Sequence, residues 1–267
     1  MAKDNRLNIL LKPTISKFKQ KQGKMPKIIT LDIETSYAHA TLFRTGEQRI
    51  NIHQITAPSR LIMVGWKDYS KKSAQVFSED DLGVKGMLKA TWDLLNEADI
   101  VITFNGNSFD IPFIKGALLE AGFTPPSPFI SVDLYRVSRQ GRYMSHKLDY
   151  LCQLFGIGQK IKHAGEDLWG GIDRNDPIAW AKMKKYCKGD VLITENLFDY
   201  MGPWIKNFPN LSQWTGEHGC YRCGSTNLSE AGWYRTGTTA YARLQCKDCG
   251  AWNRLTHNKN RLTTRGV

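Results

Sequence analysis

Asp32 and Glu34 close a short apolar run, Lys27-Ile28-Ile29-Thr30-Leu31-Asp32-Ile33-Glu34-Thr35. In a strand, residues two apart project from the same face. Both carboxylates therefore leave on one side, close enough to share a cation. Like charges at this spacing raise each other's pKa when bare. A divalent metal is the largest local charge in such a site and reverses that cost. The alternative is a strand end with two solvated acids.

Two further acidic positions weigh against that alternative. Residues 99–104 read as a buried strand that breaks at the turn Asn105-Gly106. Asn107 or Ser108 is placed to cap the next helix, with Asp110 in its first turn. Farther on, Asp176-Pro177 has the form of an N-cap followed by a first helical residue. The helix it opens carries Tyr186 and Asp190, four residues apart and so on one face. Alone, such a Tyr/Asp pair is an ordinary exposed pair.

Taken in order, the three segments resemble the DEDD superfamily of 3′→5′ exonucleases, in its tyrosine-containing branch. The motifs are D-x-E at Asp32-Ile33-Glu34, N-x(2-3)-[FY]-D from Asn105 to Phe109-Asp110, and Y-x(3)-D from Tyr186 to Asp190. The likeness is to the proofreading domain of family B DNA polymerases and its stand-alone relatives. Lys147-Leu148-Asp149-Tyr150-Leu151 also looks like that group. The resemblance covers about residues 27–202. Each motif is weak singly; the ordered set is specific.

The resemblance implies a ribonuclease H-like fold, an α/β arrangement in which helices flank a mixed sheet. The local patterns agree. Residues 28–33, 61–68 and 74–78 read as strands. Residues 86–98 have helical spacing through Met87, Leu88, Trp92, Leu94 and Leu95. A strand at 100–104, a helix at 109–121, a strand at 129–134 and helices at 148–154 and 177–200 follow. Residues 38–58 are poorly patterned and read as a loop or hairpin beside the site.

The resemblance also assigns roles. Asp32, Glu34 and Asp190 would hold the nucleophile-side metal, with Asp32 bridging to a second metal supported by Asp110. Tyr186 would orient the attacking water, and Asn105 and Phe109 would hold the terminal nucleotide. All-oxygen ligation selects Mg²⁺ or Mn²⁺ over zinc. The implied product is a nucleoside 5′-monophosphate.

A second constellation lies near the C-terminus. Cys220-Tyr221-Arg222-Cys223-Gly224 and Cys246-Lys247-Asp248-Cys249-Gly250 are both CxxC followed by Gly, separated by 22 residues. Two such knuckles can give four thiolates to one tetrahedral zinc. Glycine suits the tight turn of each. Short strands at 232–235 and 239–245 make the module resemble a zinc ribbon, and disulfides are the alternative. Cys152 and Cys187 read as buried thiols, Cys187 facing away from the side of the helix that Tyr186 shares with Asp190.

Of 267 residues, 41% are apolar, and no apolar run is long enough to span a bilayer. The apolar Ile9-Leu10-Leu11 is too short for a signal peptide, and reduced thiols suit a cytoplasmic protein. The expected organisation is a basic segment at 1–26, a nuclease domain at 27–210, and a zinc ribbon with a basic tail at 211–267.

The charge is segregated. Residues 1–27 carry +7, residues 28–210 carry zero, and residues 211–267 carry +5, which accounts for the whole +12. Basic flanks around a nuclease are expected to grip the phosphate backbone; a tail that merely aids solubility is the alternative. Tyr221, Trp233, Tyr234, Tyr241 and Trp252 sit among the ribbon's basic residues. Some must form its core, and others can stack on unpaired bases. The ribbon's partner is either nucleic acid or a protein. The expected activity is a metal-dependent 3′→5′ exonuclease acting on single-stranded DNA or another 3′ end. The alternatives are an exoribonuclease and a nucleic-acid-binding scaffold on an idle nuclease fold.

Overall fold

The structure is a computed structural model in which residues 25–44, 46–47, 49–161, 166–215, 218–256 and 260–261 are described. The basic segment expected at 1–26 lies outside them as far as residue 24, as does the tail from residue 262. The chain divides into two compact units, one spanning Lys27–Leu197 and the other beginning at Phe198.

The first unit is organised by alternation along β1 (Ile28–Thr35). Ile29, Leu31 and Ile33 are buried on one face, which directs Thr30, Asp32 and Glu34 to the other. β2 (His39–Ala40) and β3 (Ile55–Ala57) pair into a small hairpin within the poorly patterned stretch. β4 (Leu61–Asp68) lies antiparallel to β1, and β5 (Gln75–Ser78) antiparallel to β4.

α1 (Glu79–Glu97) starts earlier than the apolar spacing predicts. Its first turn holds Glu79, Asp80 and Asp81, which favour a helix N-terminus, and Gly83 at φ 63° interrupts it. β6 (Ile100–Thr103) is parallel to β1 and leads to α2 (Asp110–Glu120). β7 (Ile130–Asp133) is parallel to β6. α3 (Leu134–Ser138), α4 (Leu148–Leu154), α5 (Glu166–Asp173) and the part of α6 (Pro177–Met201) up to Leu197 complete the unit. The short helices α3 and α5 were not legible, because neither is long enough to establish a period.

The sheet order is β5-β4-β1-β6-β7. α1 and α2 pack on the face of Ile29, Leu31 and Ile33. α5 and α6 pack on the opposite face through Leu168, Ile172, Trp180 and Met183 against Ile62 and Met63. A mixed sheet with helices on both sides is the expected ribonuclease H-like arrangement.

One cap differs from expectation. Phe109, not Asn107 or Ser108, stands at the N-cap of α2, and its side chain makes no capping hydrogen bond. The Asn107 side-chain Oδ1 instead accepts from the Ser131 hydroxyl at 2.6 Å. At α6 the expected cap is present: the Asp176 carboxylate accepts the Ile178 amide at 2.9 Å.

The second unit carries a short helix, α7 (Ser212–Thr215), and four strands: β8 (Leu228–Arg235), β9 (Thr239–Cys246), β10 (Trp252–Arg254) and β11 (Asn260–Arg261). β8, β10 and β11 all pair antiparallel with β9. Its small core is Cys220, Cys223, Cys246, Cys249 and Ala251. The Arg222 guanidinium is buried between the rings of Phe198 and Phe208, 4.3 and 4.7 Å from their centroids. This cation–π sandwich anchors the first knuckle. Among the described residues, no helix is long and apolar enough to cross a membrane.

Candidate active site and cysteine cluster

The acidic site forms where β1 outruns its parallel neighbour. β1–β6 pairing ends at Thr30 and Ile102, so the Ile33 amide lacks a ladder partner on that side. The Asp110 carboxylate accepts it at 3.2 Å, fixing the first turn of α2 beside Asp32 and Glu34. Sites at the carboxyl ends of strands in open α/β sheets commonly arise this way.

The strand break at Asn105 uses a left-handed residue, φ 66°. Asp133, at the end of β7, holds this turn: its carboxylate accepts the amides of Asn105 at 2.8 Å, Asn107 at 3.2 Å and Tyr135 at 3.0 Å. Phe109 is left exposed with its ring against Phe113, while Asn105 is partly exposed.

α6 brings Tyr186 and Asp190 onto the β1 carboxylates. Its approach depends on Gly65 of β4, which pairs directly with Asp32. A Cβ at Gly65 would stand 2.5 Å from the Cys187 sulfur and 3.0 Å from a Val191 methyl. The glycine therefore sets how closely the helix can lie on the sheet. Cys187 is buried, as expected, but it does not face away from the site. Its sulfur and carboxylate oxygens of Asp32 and Glu34 all lie within 4.8 Å of one another. A helix packed flat on a sheet turns more than one row of residues toward it, so 187 as well as 186 and 190 reaches the carboxylates.

Lys160 is a member of the cluster that no sequence pattern singled out. Its ammonium contacts Asp190 Oδ2 at 2.7 Å and the Tyr186 hydroxyl at 3.2 Å, and lies 5.4 Å from the Tyr186 ring centroid. Its backbone amide donates to Asp149 at 2.7 Å, which ties the loop to α4.

Glu34, Asp110 and Asp190 are buried, and Asp32 is partly exposed. Burial, followed by Asp190, pushes Glu34 up to about 8. Burial pushes Asp110 up to about 7, although the Ile33 amide opposes the rise. Asp32 is raised well above the carboxylate range by burial and then by Asp110, Glu34 and Asp190. Burial works against the Lys160 ammonium, but Asp190 more than offsets it and holds the charge. Burial and Asp190 raise the Tyr186 phenol, which therefore stays protonated as a donor at neutral pH.

Thus, among the described residues, four carboxylates face one ammonium. Such a set is under-compensated and suits divalent cations with hard oxygen ligands. The donor chemistry of Asp32, Glu34, Asp110 and Asp190 fits that requirement.

In the second unit, the sulfurs of Cys220, Cys223, Cys246 and Cys249 lie within 4.8 Å of one another. Cys220–Cys249 and Cys223–Cys246 are each separated by 3.6 Å, too far for a disulfide and close to the ~3.8 Å edge of a tetrahedron built on metal–sulfur bonds of about 2.3 Å. Gly224 and Gly250, after the two pairs, have φ 72° and 75°, as knuckle turns require. The four-cysteine cluster fits a zinc ribbon.

The sequence model of the RNase_H_2 family, of the RNase H superfamily, matches residues 54–202. That is more than half of the chain, which belongs to the RNase H superfamily. The matched span contains Asp110, Tyr186 and Asp190 but begins after Asp32 and Glu34. Among solved structures, the family B DNA polymerase from the hyperthermophilic archaeon Pyrobaculum calidifontis is similar, with a TM-score of 0.53 and 16% identity. The match covers 80% of this chain and 31% of the polymerase. At this identity the likeness is one of fold, and the match spans about a third of the polymerase. No curated protein matches the sequence. Family and acidic site together point to nuclease-type chemistry on nucleic acid.

Proposed function

We propose that the protein is a metal-dependent 3′→5′ exonuclease that hydrolyses single-stranded DNA to nucleoside 5′-monophosphates. The observation that carries this reading is the convergence of Asp32, Glu34, Asp110 and Asp190, with the ionisation of Asp32, Glu34 and Asp110 held back by burial and by neighbouring carboxylates. Two Mg²⁺ or Mn²⁺ ions, when bound, would activate a water and relieve charge on the leaving oxygen.

Asp32, Glu34 and Asp190 would hold the ion on the nucleophile side. Asp32 would also reach the second, which Asp110 would support through water. The Tyr186 hydroxyl orients the attacking water by a hydrogen bond. Asn105 and the exposed ring of Phe109 hold the terminal nucleotide. DNA is favoured because the fold neighbour is a DNA polymerase. The four-cysteine cluster would hold one structural Zn²⁺.

A second reading, a nucleic-acid-binding protein on an idle nuclease fold, is favoured by one observation. The Lys160 ammonium already neutralises Asp190. End-labelled single-stranded DNA and RNA incubated with Mg²⁺ separate the readings. The chain should shorten DNA from its 3′ end, Asp32→Ala and Asp190→Ala should be inactive while folded, and Tyr186→Phe should retain partial activity. Wild-type turnover by Asp32→Ala would refute the two-ion assignment. Inactivity of the native chain on both substrates would favour the idle fold.

A further inference from the structure

The sheet of the second unit has two unlike faces. Toward one, Ala242 and Cys246 of β9 are buried beside the cysteine cluster. The other presents Tyr241, Arg243 and Gln245. The pairing register adds Tyr234 of β8 opposite Tyr241, Arg254 of β10 opposite Arg243, and Trp252 opposite Gln245.

These side chains are mutually stacked. The Arg254 guanidinium lies 4.3 Å from the Tyr241 ring centroid and 5.2 Å from that of Tyr234. The Arg243 guanidinium lies 4.8 Å from the Trp252 centroid, with its Nε donating to the Ala231 carbonyl at 2.9 Å. Trp252 and Tyr234 are 50% and 48% exposed. Asp and Glu are absent from this face of the paired strands; Glu230 pairs with Leu244 and so belongs to the other. Of the five aromatics among the ribbon's basic residues, Tyr221 is committed elsewhere, its hydroxyl donating to the Ile205 carbonyl at 3.2 Å.

We infer that this face is a binding site for single-stranded nucleic acid, an inference that rests on the reading that the protein acts on nucleic acid. The ligand must match two properties at once. Flat, exposed rings call for planar partners, and guanidiniums that face no carboxylate among the described residues call for anions. Unpaired bases joined by phosphates supply both. A duplex hides its base faces in its own stack, and an acidic peptide leaves the rings unused. The Arg–ring stacks hold the guanidiniums in place before binding, leaving Arg243 nitrogens other than Nε for phosphate oxygens.

The test uses the full-length chain carrying Asp32→Ala, so that binding is read without cleavage. Affinities are measured for a fluorescein-labelled oligothymidylate, the same length as a duplex, and polyglutamate. Trp252→Ala and Tyr234→Ala should each weaken oligothymidylate binding about 5- to 160-fold, the range expected for loss of one stacked base. Trp252→Phe should retain most of the affinity, and Trp233→Ala, on the opposite face, should leave it unchanged. Retained metal content shows that each variant keeps its ribbon folded.

Parental affinity in both Trp252→Ala and Tyr234→Ala would overturn the inference. So would equal or tighter binding of duplex, which points to a phosphate-only contact, or of polyglutamate, which points to an acidic protein partner. Absence of cleavage by the native chain would count against the exonuclease reading while leaving these binding results to stand.

Discussion

Raising the pH should tighten Mg²⁺ binding at the acidic site, with a steepness set by its buried carboxyls. Glu34 at about 8 and Asp110 at about 7 are protonated wholly or by half at neutral pH, and Asp32 is raised as well. Carboxylates ligate only when ionised, so binding must expel these protons. Each obligatory proton costs about tenfold in affinity per unit below its pKa. From pH 6 to 7, Glu34 contributes about tenfold and Asp110 about fivefold, so the pair alone gives roughly fiftyfold. The contribution of this pair should flatten above about pH 9.

The sign of the stability effect follows from the same groups. A carboxyl whose folded pKa is raised binds more protons folded than unfolded between the two values. The metal-free fold therefore loses stability as pH climbs from about 4.5 through 8, and Mg²⁺ should restore it at the upper end. Calorimetric titration of Mg²⁺ in two buffers of different ionisation enthalpy reads the released protons directly. One or more should leave per chain at pH 7. Mg²⁺ suits this assay because the cysteine cluster does not compete for it. An affinity constant from pH 6 to 9, with no proton release, would refute the picture of an under-compensated carboxylate cluster.

Gly65→Ala should force α6 off the sheet, since the new methyl meets the Cys187 sulfur at 2.5 Å. It should cost about 1–3 kcal/mol in urea unfolding and most of the proposed nuclease activity, and adding Cys187→Ala should recover part of both. Lys160→Met should lower the melting temperature of the metal-free protein, because Asp190 loses its 2.7 Å partner. Discounting for the partial exposure of Lys160, a loss of about 1–2 kcal/mol corresponds to a few degrees, and Mg²⁺ should return most of it. Elemental analysis of chelator-free protein should find one zinc per chain, and Cys220→Ser should lose it and melt the ribbon while Mg²⁺-dependent cleavage survives.

Spacing within short segments was enough to place Asp32 and Glu34 on one face of a strand, Asp110 at a helix start, and Tyr186 with Asp190 on one helical face. It also paired the two CxxC knuckles and marked the apolar runs of the five-stranded sheet. These are consequences of backbone periodicity, which each segment carries by itself. The cap of α2 is not legible in its own segment, because the deciding acceptor, Asp133, comes from a strand about 25 residues downstream.

Tertiary structure alone decided the remainder. Which helix lies on Asp32, and how near, depends on the missing side chain at Gly65 and on the packing of α5 against α6. A glycine inside a strand hints at close approach, but not at what approaches. Lys160 lies in a loop without periodicity, and only packing brings its ammonium to Asp190 and Tyr186. The stacked arginines and rings of the ribbon became one face only once three strands had paired in register. Periodicity fixes the direction in which a side chain leaves its own backbone; what it meets there depends on elements far away in the chain, and so does its charge state.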